Sequence, residues 1–171
     1  IPCLPIGLFR NHRVLLEGLE STITFTSSGT TGTVTSSHHV PWPSLYERSF
    51  LRSFEAVYGS VTEWRILALL PAYLERSGSS LVYMAEQLIA RSGDPLSGTY
   101  LYQYDRLAEV LKQGEAEGKK TLLLGVTFAL LDLAEQHPMH LRHTTIMETG
   151  GMKGRRPELV RDELHAILKQ A

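Results

Sequence analysis

The sequence predicts an α/β fold, with a mainly parallel sheet flanked by helices. Three observations predict it. The short runs at 64–70 and 121–126 are almost wholly apolar, as strands buried on both faces are. Segments whose apolar residues recur at helical spacing alternate with these runs. Gly59, Pro71 and Pro138 punctuate the boundaries. Strands separated by helices need crossover connections, and such connections make neighbouring strands parallel.

Taken in order, residues 21–25 read as a strand leading into a segment, 24–39, made almost wholly of Thr, Ser, Gly and His. Leu45, Phe50, Leu51, Phe54 and Val57 give a helix over 44–58, and Gly59 stops it. Residues 64–70 form a buried strand ended by Pro71. Leu81, Met84, Ala85, Leu88 and Ile89 predict a helix over 80–90, with Ser79 or Ser80 as its cap. Tyr100, Tyr102 and Tyr104 alternate, which predicts a short aromatic strand over 100–104 packed in the sheet. Asp105 then caps a helix through Leu107, Val110 and Leu111 that runs out near Gly114 or Gly118. Residues 121–126 are a second buried strand, 127–136 its following helix, and 142–147 the next strand. Pro157 suits a first helical position with Glu158 in the first turn. Val160, Leu164, Ile167 and Leu168 then make one apolar stripe.

At 171 residues, with 43% apolar and 20% charged residues, the chain suits one domain over 1–171 with its own core. A formal net charge of −1 gives no general attraction for nucleic acid or an anionic membrane. The single cysteine, Cys3, excludes an internal disulfide, fits a cytoplasmic location and reads as a small buried hydrophobe. No apolar run reaches the roughly 18–20 residues of a membrane helix. The longest, 122–131, is interrupted by Gly125 and Thr127. No basic start followed by an apolar stretch marks a signal peptide. The chain opens without Met on a proline-punctuated segment, so a fragment of a longer protein is expected.

Ligands of open parallel sheets bind outside the carboxyl ends of the strands. Two loops expected at such ends are chemically unusual. The first is Thr26-Ser27-Ser28-Gly29-Thr30-Thr31-Gly32. Small residues let the backbone approach an anion, glycines allow successive N–H groups to converge on it, and the hydroxyls add neutral donors. This is not a Walker loop, because no Gly-Lys-Ser or Gly-Lys-Thr closes it; on composition alone it reads equally well as a surface linker. The second is Glu148-Thr149-Gly150-Gly151-Met152-Lys153-Gly154-Arg155-Arg156, between a strand and a helix. Its glycines suit close approach to a ligand, and Lys153, Arg155 and Arg156 bring positive charge to a helix N-terminus. A plain Gly-rich connection is the competing interpretation.

The order of residues in the first loop resembles the phosphate-binding signature of adenylate-forming enzymes. That resemblance implies that the chain is part of the large N-terminal domain of such an enzyme. It implies that Thr26, Ser27, Ser28, Gly29, Thr30, Thr31 and Gly32 contact the β- and γ-phosphates of ATP. Many members continue with a lysine, where this chain has Thr33-Val34-Thr35-Ser36-Ser37-His38-His39, so His38 or His39 stands in as the cation. Thr149, Gly150, Gly151 and Met152 correspond to the turn that contacts adenine and lines the acyl pocket. The two loops, together with 1–9 and the E…R.EL helix, are most similar to the acyl-protein synthetase branch, which includes the fatty-acid activating subunit of bacterial luminescence. The likeness covers nearly the whole chain, though only the two loops are sharp motifs.

The resemblance implies ATP-dependent activation of a long-chain fatty acid as acyl-adenylate, then transfer to a protein thiol, with ATP and Mg²⁺ required. It also implies acyl reductase and acyltransferase partner proteins. A phenylacetate-CoA ligase-like enzyme and a non-catalytic nucleotide-binding module are the alternatives. The family's Tyr-Gly-x-Thr-Glu motif, ribose-binding aspartate and C-terminal lysine are not in this chain, so these 171 residues alone are not expected to complete the cycle, and no catalytic residue is assigned.

Other groups carry less. His137, His140 and His143 are three apart, but Pro138 breaks a helix and strand residues at i, i+3 face opposite sides, so no metal is expected. Thr127 and Phe128 sit past a strand end, in a position to line the acyl pocket, though packing is the better reading for Phe128. A Gly-x-Ser-x-Gly elbow is missing, which argues against a hydrolase.

Overall fold

The computed structural model describes residues 3–27, 35–71, 78–150, 156 and 159–170. It is an α/β architecture. A four-stranded parallel sheet in the order β4-β3-β5-β6 is built from β3 (Arg65–Leu69), β4 (Gly98–Thr99), β5 (Thr121–Gly125) and β6 (Thr144–Glu148). A separate antiparallel hairpin pairs β1 (Ile23–Thr26) with β2 (Ser37–Val40), in a register that matches Thr26 with Ser37.

The central strands β3 and β5 are buried along their whole length, which explains their lack of alternation. Residues of opposite parity face opposite layers. On one side Ile66 and Leu122 pack with Phe50 and Phe54 of α2 (Pro43–Tyr58) and Leu88 of α3 (Ser80–Ser92). On the other, Leu67 and Leu123 pack with Leu107 and Leu111 of α4 (Tyr104–Glu117), Leu130 of α5 (Thr127–Gln136) and Leu164 of α6 (Arg161–Gln170). A further helix among the described residues, α1 (Leu8–Asn11), is a single turn beside the hairpin. None of the described helices is long and apolar enough to cross a membrane.

Most elements stand where the residue pattern puts them. Ser79 caps α3, its side chain accepting the Val82 N–H at 3.3 Å. Gly59 ends α2 and Gly118 ends α4. Several expectations need correction. The aromatic strand over 100–104 is not formed. Tyr100 donates its N–H to Ala68 O at 2.9 Å, but Leu101 adopts φ 41° and turns the chain, and Tyr104 already lies in α4. Asp105 therefore sits in the first turn of α4, and Gln103 occupies the cap position.

Strand β6 starts two residues later than expected. The N–H groups of Arg142 and His143 donate to the Glu115 carboxylate, at 2.7 and 3.0 Å, instead of to a neighbouring strand. Cys3 is exposed, not buried. The stripe on α6 is narrower than its spacing suggests: Leu164 is buried, Leu168 packs partly, and Val160 and Ile167 are exposed. Leu45 and Val57 of α2 are likewise exposed, since the core takes only the Phe50–Phe54 face. Pro157 and Glu158 lie outside the described residues.

Candidate functional site

The carboxyl ends of β5 and β6 are tied together beyond their last ladder pair, Gly125 with Glu148. Thr149 donates its N–H to Gly125 O at 3.0 Å, and its hydroxyl reaches the same carbonyl at 3.3 Å. Glu148 Oε1 accepts the Gly150 N–H at 2.7 Å and also the hydroxyl of Thr127. Thr127 is the first residue of α5 and is buried, so the carboxylate joins a strand end, a loop and a helix start. Gly150 has φ 78°, a conformation costly for any residue with a side chain, and this lets its N–H turn back onto Glu148. Gly125 serves close approach: a Cβ there would stand 2.7 Å from Leu130 Cγ of α5.

Arg156 is anchored to the same helix. Its Nε donates to Asp132 Oδ1 at 3.1 Å, Nη1 and Nη2 reach the two Glu135 oxygens at 2.7 Å each, and Nη2 also meets Asp132. The Glu135 carboxyl is held below its ordinary pKa, first by the Arg156 hydrogen bond, with burial opposing it and the guanidinium charge adding to it. Arg156 is thus neutralised by two carboxylates, and the free anion-attracting charge expected at this position is absent. Asp132 also accepts a hydrogen bond from the Tyr104 hydroxyl at 3.3 Å.

The hairpin is seated on the connection that leaves the carboxyl end of β3. Thr26 donates its N–H to Gly78 O at 2.8 Å, and Gly78 stands two residues before α3. The buried Phe25 ring packs edge-on against Tyr46 and Tyr83, in the first turns of α2 and α3. Past β1 the strands stay closed: Ser27 donates its N–H to Ser36 O, and Ser36 returns its N–H to Ser27 Oγ, both at 2.9 Å. His38 lies in β2, its ring stacked on Phe9 at 4.5 Å with Nε2 3.5 Å from Ser36 Oγ. His39 points to the opposite side and meets the Thr24 hydroxyl at 3.0 Å.

Thr26, Ser27 and His38 are therefore gathered in the hairpin, and Thr149 and Gly150 join Glu148 and Thr127 at the sheet end. Ser28, Gly29, Thr30, Thr31, Gly32, Gly151 and Met152 lie outside the described residues, as do Lys153 and Arg155. Phe128 is core packing, as its position past an apolar strand suggests. His137 Nε2 is 3.1 Å from Asp105 while His140 and His143 are exposed, and no cluster of three or more metal-ligating side chains occurs among the described residues. A half-open hollow of about 330 Å³ lies between α2, α3 and the sheet, lined by Tyr46, Phe50, Phe54, Met84, Leu122 and Met147 among others. Met147 immediately precedes Glu148, so the hollow adjoins the tied strand end.

Two groups escaped the sequence reading. The Glu148 carboxylate was only one letter of a glycine loop, although its place two residues before a glycine in a strand-to-loop turn permits the bond it makes. Asp132 and Glu135, one helical turn apart, carried a weak signal as a paired acidic face for Arg156. In comparisons with known proteins, no family model, no curated protein and no solved structure matches this chain.

Proposed function

We propose that this chain is the nucleotide-binding part of an ATP-dependent adenylate-forming ligase that activates a fatty acid, of the acyl-protein synthetase type. One observation carries the reading. The hydroxyl- and glycine-rich run 26–32 begins on a hairpin seated on the carboxyl-end connection of β3, and the Glu-Thr-Gly-Gly turn leaves the carboxyl end of β6 in the same parallel sheet. Open α/β sheets bind nucleotides at that end.

In this reaction an oxygen of the substrate carboxylate attacks the α-phosphorus of ATP. The bond to the β-phosphate oxygen breaks, pyrophosphate leaves, and an acyl-adenylate remains. The acyl group then passes to a thiol. Two anions must meet, so the protein's contribution is positioning and donors preorganised towards the phosphates. The resemblance gives that task to the hydroxyl- and glycine-rich run 26–32 as a whole, since the N–H groups of Thr26 and Ser27 are already donated to Gly78 O and Ser36 O. Mg²⁺ supplies charge neutralisation when bound. Glu148, Asp132 and Glu135 are occupied by Thr127, Gly150 and Arg156, so none of them is proposed as its ligand. The hollow supports an alkyl substrate. At about 330 Å³, half-open and lined mostly by apolar side chains, it is the kind of space an alkyl chain fills. A cytoplasmic location, and partner proteins that reduce or transfer the acyl group, belong to the same proposal.

The test is ATP–pyrophosphate exchange by the full-length protein with a panel of fatty and aromatic acids. Exchange is expected with fatty acids and is abolished by Thr30→Val or Gly151→Trp. A folded protein that binds ATP yet exchanges with no acid sinks the ligase reading, and exchange confined to aromatic acids replaces it with the CoA-ligase type.

A further inference from the structure

The carboxylate of Glu148 is used in an unusual way for a strand end. Its Oε1 takes two donors from two different elements, the Thr127 hydroxyl at the start of α5 and the Gly150 N–H in the loop that follows β6. Thr149, between them, is fixed separately through its N–H and hydroxyl on Gly125 O. Three consecutive residues, 148–150, are thereby held to β5 and α5, although Gly150 has left the sheet ladder and sits at φ 78°. Glycine adopts this conformation without strain, so what holds the turn is its hydrogen bonds. Arg156 anchors the far end of the same loop to Asp132 and Glu135, again on α5.

We infer that Glu148 is the positioning residue of this site: through Thr127 and Gly150 it fixes the turn against which the nucleotide seats. The inference rests on the ligase reading for the identity of that ligand. Glu148 acts through Gly150 and touches no reacting atom, so its role is that of an acceptor, not of a base. A carboxamide oxygen in the same place accepts the same two hydrogens, whereas a methyl group accepts neither.

The experiment uses the full-length protein with Glu148→Ala, Glu148→Gln and Thr127→Val. It reads MgATP dissociation constants beside amide hydrogen exchange at Gly150 and thermal unfolding. The expected result is a weakening of MgATP binding by about tenfold in Glu148→Ala, the size of one charge-assisted hydrogen bond. Gly150 loses its exchange protection in the same variant, and Glu148→Gln restores most of both. Thr127→Val weakens binding too, but adds little once Glu148 is already alanine, because both residues act through one oxygen. A purely structural tie lowers the melting temperature and leaves MgATP affinity as it was, and that outcome overturns the inference. Should the unsubstituted protein not bind MgATP, the ligase reading falls. The inference falls with it, whereas unchanged MgATP affinity in Glu148→Ala, in a protein that does bind MgATP, overturns the inference alone.

Discussion

At the scale of single residues, the site depends on a few places where a side chain or its absence is dictated by a close neighbour. Gly125 is the sharpest. Its missing Cβ leaves room for Leu130, whose Cγ and Cδ2 would both stand 2.7 Å from an added carbon. Leu130 is nearly fully buried in the main core, so it has little room to retreat. Gly125→Ala is therefore expected to destabilise the fold by about 1–3 kcal/mol, read as a lower denaturant midpoint with an unchanged slope. An unchanged midpoint would mean that α5 shifts freely over the strand end. The sequence singled out Thr149 and Gly150 by their turn chemistry, but could not show that Thr127 and Glu148 meet. Their separation of 21 residues spans a helix and a strand, and only the parallel register of β5 with β6 closes it. Arg156 failed differently: its positive charge was plain, while the two carboxylates that consume it lie on another element.

Whole elements were far more legible than individual contacts, because local pattern decides them. The cap at Ser79, the glycine stop at Gly59 and the unbroken apolar runs of β3 and β5 act within a few residues and were read correctly. The failure at 100–104 is instructive. Alternating tyrosines suit a strand, yet the turn closed by Gln103 N–H on Tyr100 O at 2.6 Å lets α4 start early. Strand β2 was missed because Ser-His-His-Val has no alternation of polarity; its pairing with β1 is set by Thr26 and Phe25 across the hairpin. The Ser79 cap gives a direct test of the local account. Ser79→Ala removes the acceptor for Val82 N–H and is expected to cost about 1 kcal/mol, whereas Ser79→Asp keeps it. Equal melting temperatures for alanine and aspartate at this position would show that packing, not the cap, starts α3.

Over the whole molecule, carboxylates bind the layers together, and this sets how the fold responds to acid. At the amino-terminal side of the sheet, Arg65 is buried and pairs with Asp94 and Glu117, both at 3.0 Å. Burial pushes the Asp94 carboxyl up, but the Arg65 hydrogen bond and the Leu96 N–H outweigh it, and the net shift is downward. Glu115 on α4 behaves alike. Desolvation raises its pKa, yet the N–H groups of Arg142 and His143 and the Thr144 hydroxyl hold it below its ordinary 4.5. These groups have folded-state values below their unfolded ones. Their stabilisation is therefore complete above the unfolded pKa and is lost as pH falls through the folded one. The melting temperature should then be nearly level from neutrality down to about pH 5 and fall progressively below it. Glu115→Gln isolates one contributor: it retains an acceptor for the backbone donors but no longer titrates. The variant should melt lower than the parent at neutral pH, because charged acceptors bind more strongly than neutral ones. Its acid slope should also be shallower, so that the two curves converge towards acid. Parallel curves would remove Glu115 from the linkage and leave the buried Arg65 cluster as the source of the acid response.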